Sequence, residues 1–433
     1  MAQLKVSAAE VDLNDLEFWA KPPAYREAAF AALRRDNPIA HFPEPEYQLP
    51  GMIPGSGYYA LTKYRDVSDA SRQPNLFCSG KGATSVPDLP EQMLDFFGSM
   101  INMDDPRHKR LRDIVNKAFT VRQVRQIYDY VDKTAIEICE SVGPKGEVDF
   151  VTEVSSRLPL KVICDMMGVP SSHYDFVFDR SNTILGAADP EYVPQGDDPQ
   201  GDDQQNVLTA IMNAAVELTQ LMTDLAQQRQ DEPTDDVTSA LIHAEVDGDK
   251  LSNAELASFF ILLVVAGNET TRNAISWGLK LLTEHPDQRE IWRNDFDGLQ
   301  RSAIEEIVRY SSPVVYMRRT VTEDGATLSD HVFEQGDKVL LYYNSANRDE
   351  EVFDDPDTFN VRRNINPPQV GFGGPGPHFC LGANLARQEI KVMFQELFRR
   401  IPDIEASGEA DHLRSNFING IKHLPAKFTP VSG

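Results

Sequence analysis

Gly371-Phe372-Gly373-Gly374-Pro375-Gly376-Pro377-His378-Phe379-Cys380-Leu381-Gly382 crowds glycine and proline around a single cysteine. Such a segment is rigid at its prolines and sterically open at its glycines. A run with helical spacing follows, Ala383 to Arg400, with Leu385, Ile390, Met393, Phe394, Leu397 and Phe398 at its apolar positions. Cys380 therefore stands just before a helix N-terminus, where the dipole and free amides favour a thiolate and tune a metal bound to it. Taken alone, the segment suits a tight loop around a buried, inert thiol equally well.

The next informative stretch lies upstream. Ser252-Asn253-Ala254-Glu255 is a Ser-x-x-Glu capping box and Pro286 limits the other end, so one long helix is predicted between them. At 1.5 Å per residue it reaches roughly 50 Å, enough to cross a domain of this size. Its apolar wall, Phe259 to Ala266, gives way abruptly to Gly267-Asn268-Glu269-Thr270-Thr271. Glycine costs up to about 1 kcal/mol in a helix interior, and buried Glu and Thr need partners, so a purely structural helix gains by avoiding all three. The functional reading has Gly267 removing a side chain so that a planar group can lie against the helix, while the Thr270 hydroxyl and the Glu269 carboxylate manage protons. The alternative is a solvent-exposed stretch that follows a buried one.

The whole chain, 433 residues with 41% hydrophobic and 25% charged, has an ordinary globular composition. Its 42 Lys and Arg face 67 Asp and Glu, a net charge of −25, which argues against nucleic acid and anionic membrane surfaces as partners. Cys78, Cys139, Cys164 and Cys380 are scattered and form no Cys-x-x-Cys pair, so neither a disulfide framework nor a thiolate zinc site is expected, and a reduced, cytoplasmic setting fits. Glu10, Asp12, Asp15 and Glu17 make the N-terminus unlike a signal peptide or a membrane anchor. The run Phe259 to Ala266 falls far short of the roughly 20 residues that cross a bilayer.

Residues 190–205, rich in Asp, Gly, Pro and Gln, are predicted to be a mobile acidic loop between helices over Tyr174 to Leu185 and Val207 to Arg229. Strand-like patches are few: Gly57 to Leu61, Lys338 to Tyr343, and Lys422 to Phe428. One mainly α domain with a small β region is expected over 1–433, after an N-terminal extension at 1–22, since no Gly/Ser linker marks a boundary.

The stretch Phe372 to Gly382 resembles the haem-binding signature of cytochromes P450, and Ala266-Gly267-Asn268-Glu269-Thr270-Thr271 resembles their oxygen-activating helix motif. Glu306-Ile307-Val308-Arg309, with Pro356-x-x-Phe359 and Arg363, is similar to the elements of the family's buried Glu-Arg-Arg cluster. The likeness runs in family order from about Pro23 to the end. It implies a cytochrome P450 fold, a triangular helical prism with haem b between the long central helix and the cysteine loop. By the same resemblance Cys380 is the axial iron ligand, His108, Arg112, Arg319 and His378 hold the propionates, and Ala266, Gly267, Phe372, Gly373 and Gly382 line the cofactor. Glu269 and Thr270 then supply protons for reduction of O2. Two departures stand out: Phe372 is one residue farther from Cys380 than in many relatives, which weakens its assignment, and the acid before the helix Thr is Glu269 rather than Asp.

Gly267 to Asn273, Tyr316 to Thr320, Ser345 to Glu350 and Asn419 to Pro425 look like bacterial hydroxylases of the terminal methyl of methyl-branched lipids and sterol side chains. Terpene or steroid-nucleus hydroxylation is the alternative, and a haem sensor or carrier without turnover is the alternative of another class. A peroxide-driven hydroxylase or isomerase is disfavoured by Glu269 and Thr270. No flavin or nicotinamide fingerprint is present, so the resemblance implies a separate ferredoxin and ferredoxin reductase; the sequence does not reveal the oligomeric state, and a monomer is the expectation. Arg107, Lys109, Arg110, Arg112, Lys117, Arg122 and Arg125 form a basic cluster for such a partner, or a merely solvated helix face. The apolar candidates for a substrate pocket are Phe96, Phe97, Met103, Val265, Val314, Val315, Phe417 and Ile418.

Overall fold

The computed structural model describes residues 6–44, 55–88, 99–187, 189–193, 202–246 and 248–431. Helices dominate. The capping box forms as expected, Ser252 Oγ accepting from the Glu255 amide while Glu255 takes the Ser252 N–H. The long helix, however, is not uniformly α. It runs as Asn253–Leu262, a π-helical turn at Leu263–Gly267, and Asn268–Glu284. A π turn inserts an extra residue and shifts the faces of the two halves, a feature found mostly at functional sites. Pro286 does end it, and also begins a new helix, Pro286–Asn294.

This central helix is enclosed by others. Phe260, Val264, Ile275 and Leu282 share one apolar core with Trp292, Ile307, Met393, Phe394 and Leu397. Gly278 allows the closest approach: a Cβ there would sit 2.5 Å from the Phe394 ring, so the helix that follows the cysteine loop can cross tightly beneath the central one. That helix spans Ala383–Arg400, as its spacing predicts. The helix Tyr174–Leu185 matches its expected bounds, whereas the next spans Asp202–Asp231, so the expected loop is shorter by residues 202–205. Residues 194–201 of that loop lie outside the described residues.

A five-stranded sheet lies to one side, in the order Ile39–Phe42, Tyr58–Leu61, Lys338–Tyr342, Tyr316–Val321, Phe77–Cys78. Its one parallel pair joins Tyr58–Leu61 to Lys338–Tyr342. The expected strand over Lys422 to Phe428 is split. Ile421–His423 pairs with Asp411–His412, and Pro425–Lys427 pairs with Glu147–Asp149. Pro425 has no N–H with which to continue one ladder, and the Leu424 carbonyl is taken by the Phe150 amide at 2.9 Å.

The Glu306 cluster anchors the helix Phe296–Ser311 to the segment before the cysteine loop. Arg309 grips Glu306 through two bonds, Nε to Oε2 at 2.7 Å and Nη2 to Oε1 at 2.9 Å. Arg363 Nε and the Asn360 amide add bonds of 2.9 Å each. Glu306 and Arg309 are buried almost completely.

Candidate functional site

The cysteine loop is held in shape by its own backbone. Gly373 N–H donates to Val370, Cys380 N–H to Phe372, both at 2.9 Å, and Phe379 N–H to Gly376. Gly373 has φ +90°, and Gly376, at φ +153°, passes so close to the Ser71 carbonyl that a Cβ would lie 2.3 Å from it. Both turns therefore demand glycine. Burial pushes the Cys380 thiol up, while the amides of Gly382 and Ala383 and the guanidinium groups of Arg112 and Arg387 draw it down. Cys380 nonetheless stays accessible, unlike the buried Cys139 and Cys164. Phe372 lies half-buried on the other side, its ring centroid 4.5 Å below the Arg387 guanidinium.

Cationic and imidazole groups ring the loop. Arg112, on the helix Arg107–Ala118, donates to the carbonyls of Pro377 at 2.5 Å and Phe379 at 2.8 Å. His108, one helical turn before it, is buried against His378 with ring centroids 4.2 Å apart. Burial, and then the positive charges of Arg319, His108 and Arg112, bring His378 down to about 3; burial also lowers His108, against the pull of Asp105. Arg319, buried on Tyr316–Val321, donates to the Arg318 carbonyl, and no carboxylate lies within 4 Å of it or of Arg112 among the described residues. Two guanidinium groups without acids, two neutral imidazoles and an amide-flanked thiol make a donor set that fits a haem with its thiolate-bound iron and its two propionates.

On the central helix, Leu262, Ala266 and Thr270 stay partly exposed, although Ala274 and Ile275 beyond them are buried. Thr270 Oγ1 donates to the Ala266 carbonyl at 2.6 Å. Gly267 does not open the helix there. A Cβ on it would meet Ile163 Cδ1 at 2.8 Å, so the missing side chain is room taken by the helix Arg157–Met167, and the room expected there for a planar group is a correction. Glu269 turns into the protein. It is paired with Arg272, whose Nη1 donates to Asn182 on Tyr174–Leu185 at 3.0 Å. Burial raises the Glu269 carboxyl, opposed by Arg272. Glu269 Oε1 and Arg272 Nε make no hydrogen bond of normal geometry.

The sequence reading missed three of these groups. Arg272 was visible as an i, i+3 partner of Glu269. Asn182 and Leu262 carry no local signal. Glu389 is a fourth: buried beside Thr271, it is raised by burial to about 8 and its Oε1 has no partner.

Phe96 and Phe97 lie outside the described residues. Val314 and Ile418 form a β-bridge, and the Val315 amide donates to Phe417 at 2.8 Å, so four candidates distant in sequence are brought together. Val315 and Ile418 are buried, and the Phe417 ring packs on Tyr316. Met103 is buried core, with its main chain beside His378; Val265 is half-buried in the π turn. Three of the seven residues of the basic cluster are paired with acids: Arg110 with Asp249 and Glu255, Arg122 with Asp235, Lys109 with Asp113.

The family model described as Cytochrome P450 matches residues 91–299 and 298–402. A methyl-branched lipid omega-hydroxylase of Mycobacterium tuberculosis is 48% identical over 428 residues, covering 98% of this chain and 96% of that protein. A steroid C26-monooxygenase of Mycolicibacterium smegmatis is 38% identical, covering 92% and 90%. Among solved structures, a Mycobacterium marinum cytochrome P450 in complex with pseudoionone superimposes with a TM-score of 0.88 at 38% identity, covering 99% of this chain and all of that one.

Proposed function

The chain belongs to the cytochrome P450 family, and from that premise we propose that it hydroxylates the terminal methyl group of a methyl-branched lipid. As a member it is a monooxygenase that binds haem b, uses O2, and acts on a lipophilic substrate with redox partners. The observation that carries the substrate assignment is 48% identity along nearly the full length of both chains to enzymes named for that reaction. The partly exposed apolar Leu262 and Ala266 support an aliphatic rather than a polar substrate.

Bound haem supplies O2 activation and insertion of one oxygen atom into a C–H bond. Cys380 holds the iron, and His108, Arg112, Arg319 and His378 hold the propionates. Thr270 carries a proton at the apolar face and can exchange its bond to Ala266 for one to a group in the site. Glu269, with a raised pKa and a link to Arg272 and Asn182, is the acid that replenishes it from the protein side. A ferredoxin and its reductase deliver the electrons. With Lys109, Arg110 and Arg122 paired to acids, docking falls to the exposed Arg107, Arg125 and Phe379. The protein works as a monomeric single haem domain in the cytoplasm.

The test is a titration of purified ferric protein with a methyl-branched fatty acid, a straight-chain fatty acid, a sterol enone and a monoterpene, following the low- to high-spin change. Tight response to the branched lipid is expected. Response only to the sterol enone, or only to the terpene, overturns the substrate assignment in favour of that class.

A further inference from the structure

A cavity of about 40 Å³ lies between the helix Pro23–Asp36, the second half of the central helix, the end of the helix Phe296–Ser311 and the turn at Asn419; Arg26, Trp277, Val315, Asn344, Arg348 and Asn419 are among its walls. A water needs roughly 10–15 Å³ of such volume, so the space suits about three waters or one small ion and excludes a lipid chain or a nucleotide.

Arg26 is the unusual wall. It is only 8% exposed, its Nε has no partner, and among the described residues its guanidinium makes one hydrogen bond, Nη2 to Asn419 Oδ1, 3.4 Å long. Every other cation near it has an acid of its own. Arg34 is 2.9 Å from Glu350, Arg348 is 2.7 Å from Glu27 and 3.0 Å from Asp357, and Lys280 pairs with Glu284. Glu27, next to Arg26 in sequence and itself a wall of the cavity, attracts Arg26 only from beyond 4 Å and is paired with Arg348. His412 is no substitute, since burial, and then Arg26 and Lys280, bring it down to about 4. Burial lowers Arg26 to about 10, which still leaves it charged near neutral pH. A buried cation with no counter-ion within 4 Å among the described residues is expensive unless something fills that place.

We propose that this cavity is a binding site for a small monovalent anion, a halide or a short carboxylate, held by the Arg26 guanidinium. Asn344 is the second contact. Its Oδ1 has no partner, and turning the amide over presents Nδ2 to the ion. The bound ion steadies Asn419, which already receives Trp277 Nε1 on its carbonyl at 2.9 Å and donates to Pro313 and Ser311. Through Asn419 it steadies the adjoining Phe417 and Ile418. The site stands apart from the substrate assignment and does not depend on it.

The experiment uses the holoenzyme in sulfate buffer at constant ionic strength, adding chloride, bromide, formate or acetate separately and following thermal unfolding, with bromide-soaked crystals for anomalous diffraction. Saturable stabilisation of a few degrees is expected in the wild type. It should be lost in Arg26→Gln and partly kept in Arg26→Lys, with a bromide peak beside the guanidinium. Halide-only or carboxylate-only saturation identifies the source. A linear, non-saturating response, equal stabilisation in Arg26→Gln, or only water beside Arg26 in the bromide crystals overturns the proposal. The crystals decide the matter even if neither variant folds.

Discussion

Among the described residues two Glu-x-x-Arg pairs on helices are buried, and they are finished differently. Glu306 accepts two bonds from Arg309 and one each from Arg363 and the Asn360 amide. Glu269 accepts one from Arg272, has Asn273 beside it but no bond of normal geometry at Oε1, and has its carboxyl raised by burial against the pull of Arg272 and Asn273. Spacing alone makes the pairs equivalent. What separates them is the third and fourth bond, which come from the remote residues Arg363 and Asn360. A saturated carboxylate is locked and structural, whereas an incompletely bonded one beside a π turn can exchange a proton.

That contrast is open to direct attack. The largest effect is expected for Glu306→Gln, which leaves Arg309 and Arg363 buried without their charge; a loss of about 3–5 kcal/mol is expected, read as a steep fall in Tm or in yield of holoprotein. Glu269→Gln removes one charge-assisted bond, about 1.5–3 kcal/mol, and turnover should fall about 10²-fold in a reconstituted ferredoxin system. Equal Tm losses in the two variants would erase the distinction. Thr270→Ala costs at most about 1 kcal/mol for the bond to Ala266. Its mark is uncoupling, measured as O2 consumed per product formed, and fully coupled turnover would remove Thr270 from the proton path.

The smallest effect sharpens the comparison with a third buried acid. Glu389 is raised from 4.5 to about 8, so the folded state holds its proton where the unfolded chain has released it. Its stabilising contribution is complete below pH 4.5 and is lost as pH rises through about 8. Glu389→Gln, which mimics the neutral acid, should match wild-type Tm near pH 5 and exceed it above pH 8. Parallel pH profiles for the two proteins would show that burial has not raised this carboxyl.

Much of the site was legible locally. The cysteine loop, the capping box and the helix Tyr174–Leu185 depend on short-range chemistry: glycine conformations, caps and spacing. The π turn was not legible, because no local pattern in Leu263–Gly267 separates a π turn from an α turn, and the extra residue is a product of packing. Gly267 was noticed for the right reason, a missing side chain, and given the wrong neighbour, since Ile163 is about a hundred positions away. The basic cluster looked bare because Asp235, Asp249 and Glu255, which pair with Arg122 and Arg110, are equally remote.

By itself, then, the sequence determined that a thiol would stand before a helix start in a glycine-rich turn, and that an acid and an alcohol would interrupt an apolar helix, because backbone sterics, capping and periodicity act within a few residues. Only the tertiary structure decided which carboxylates are saturated, which faces of the central helix stay open, and that Arg26 is buried with no acid within 4 Å among the described residues. Burial and hydrogen-bond completion depend on segments hundreds of residues apart, and no local pattern records who arrives there.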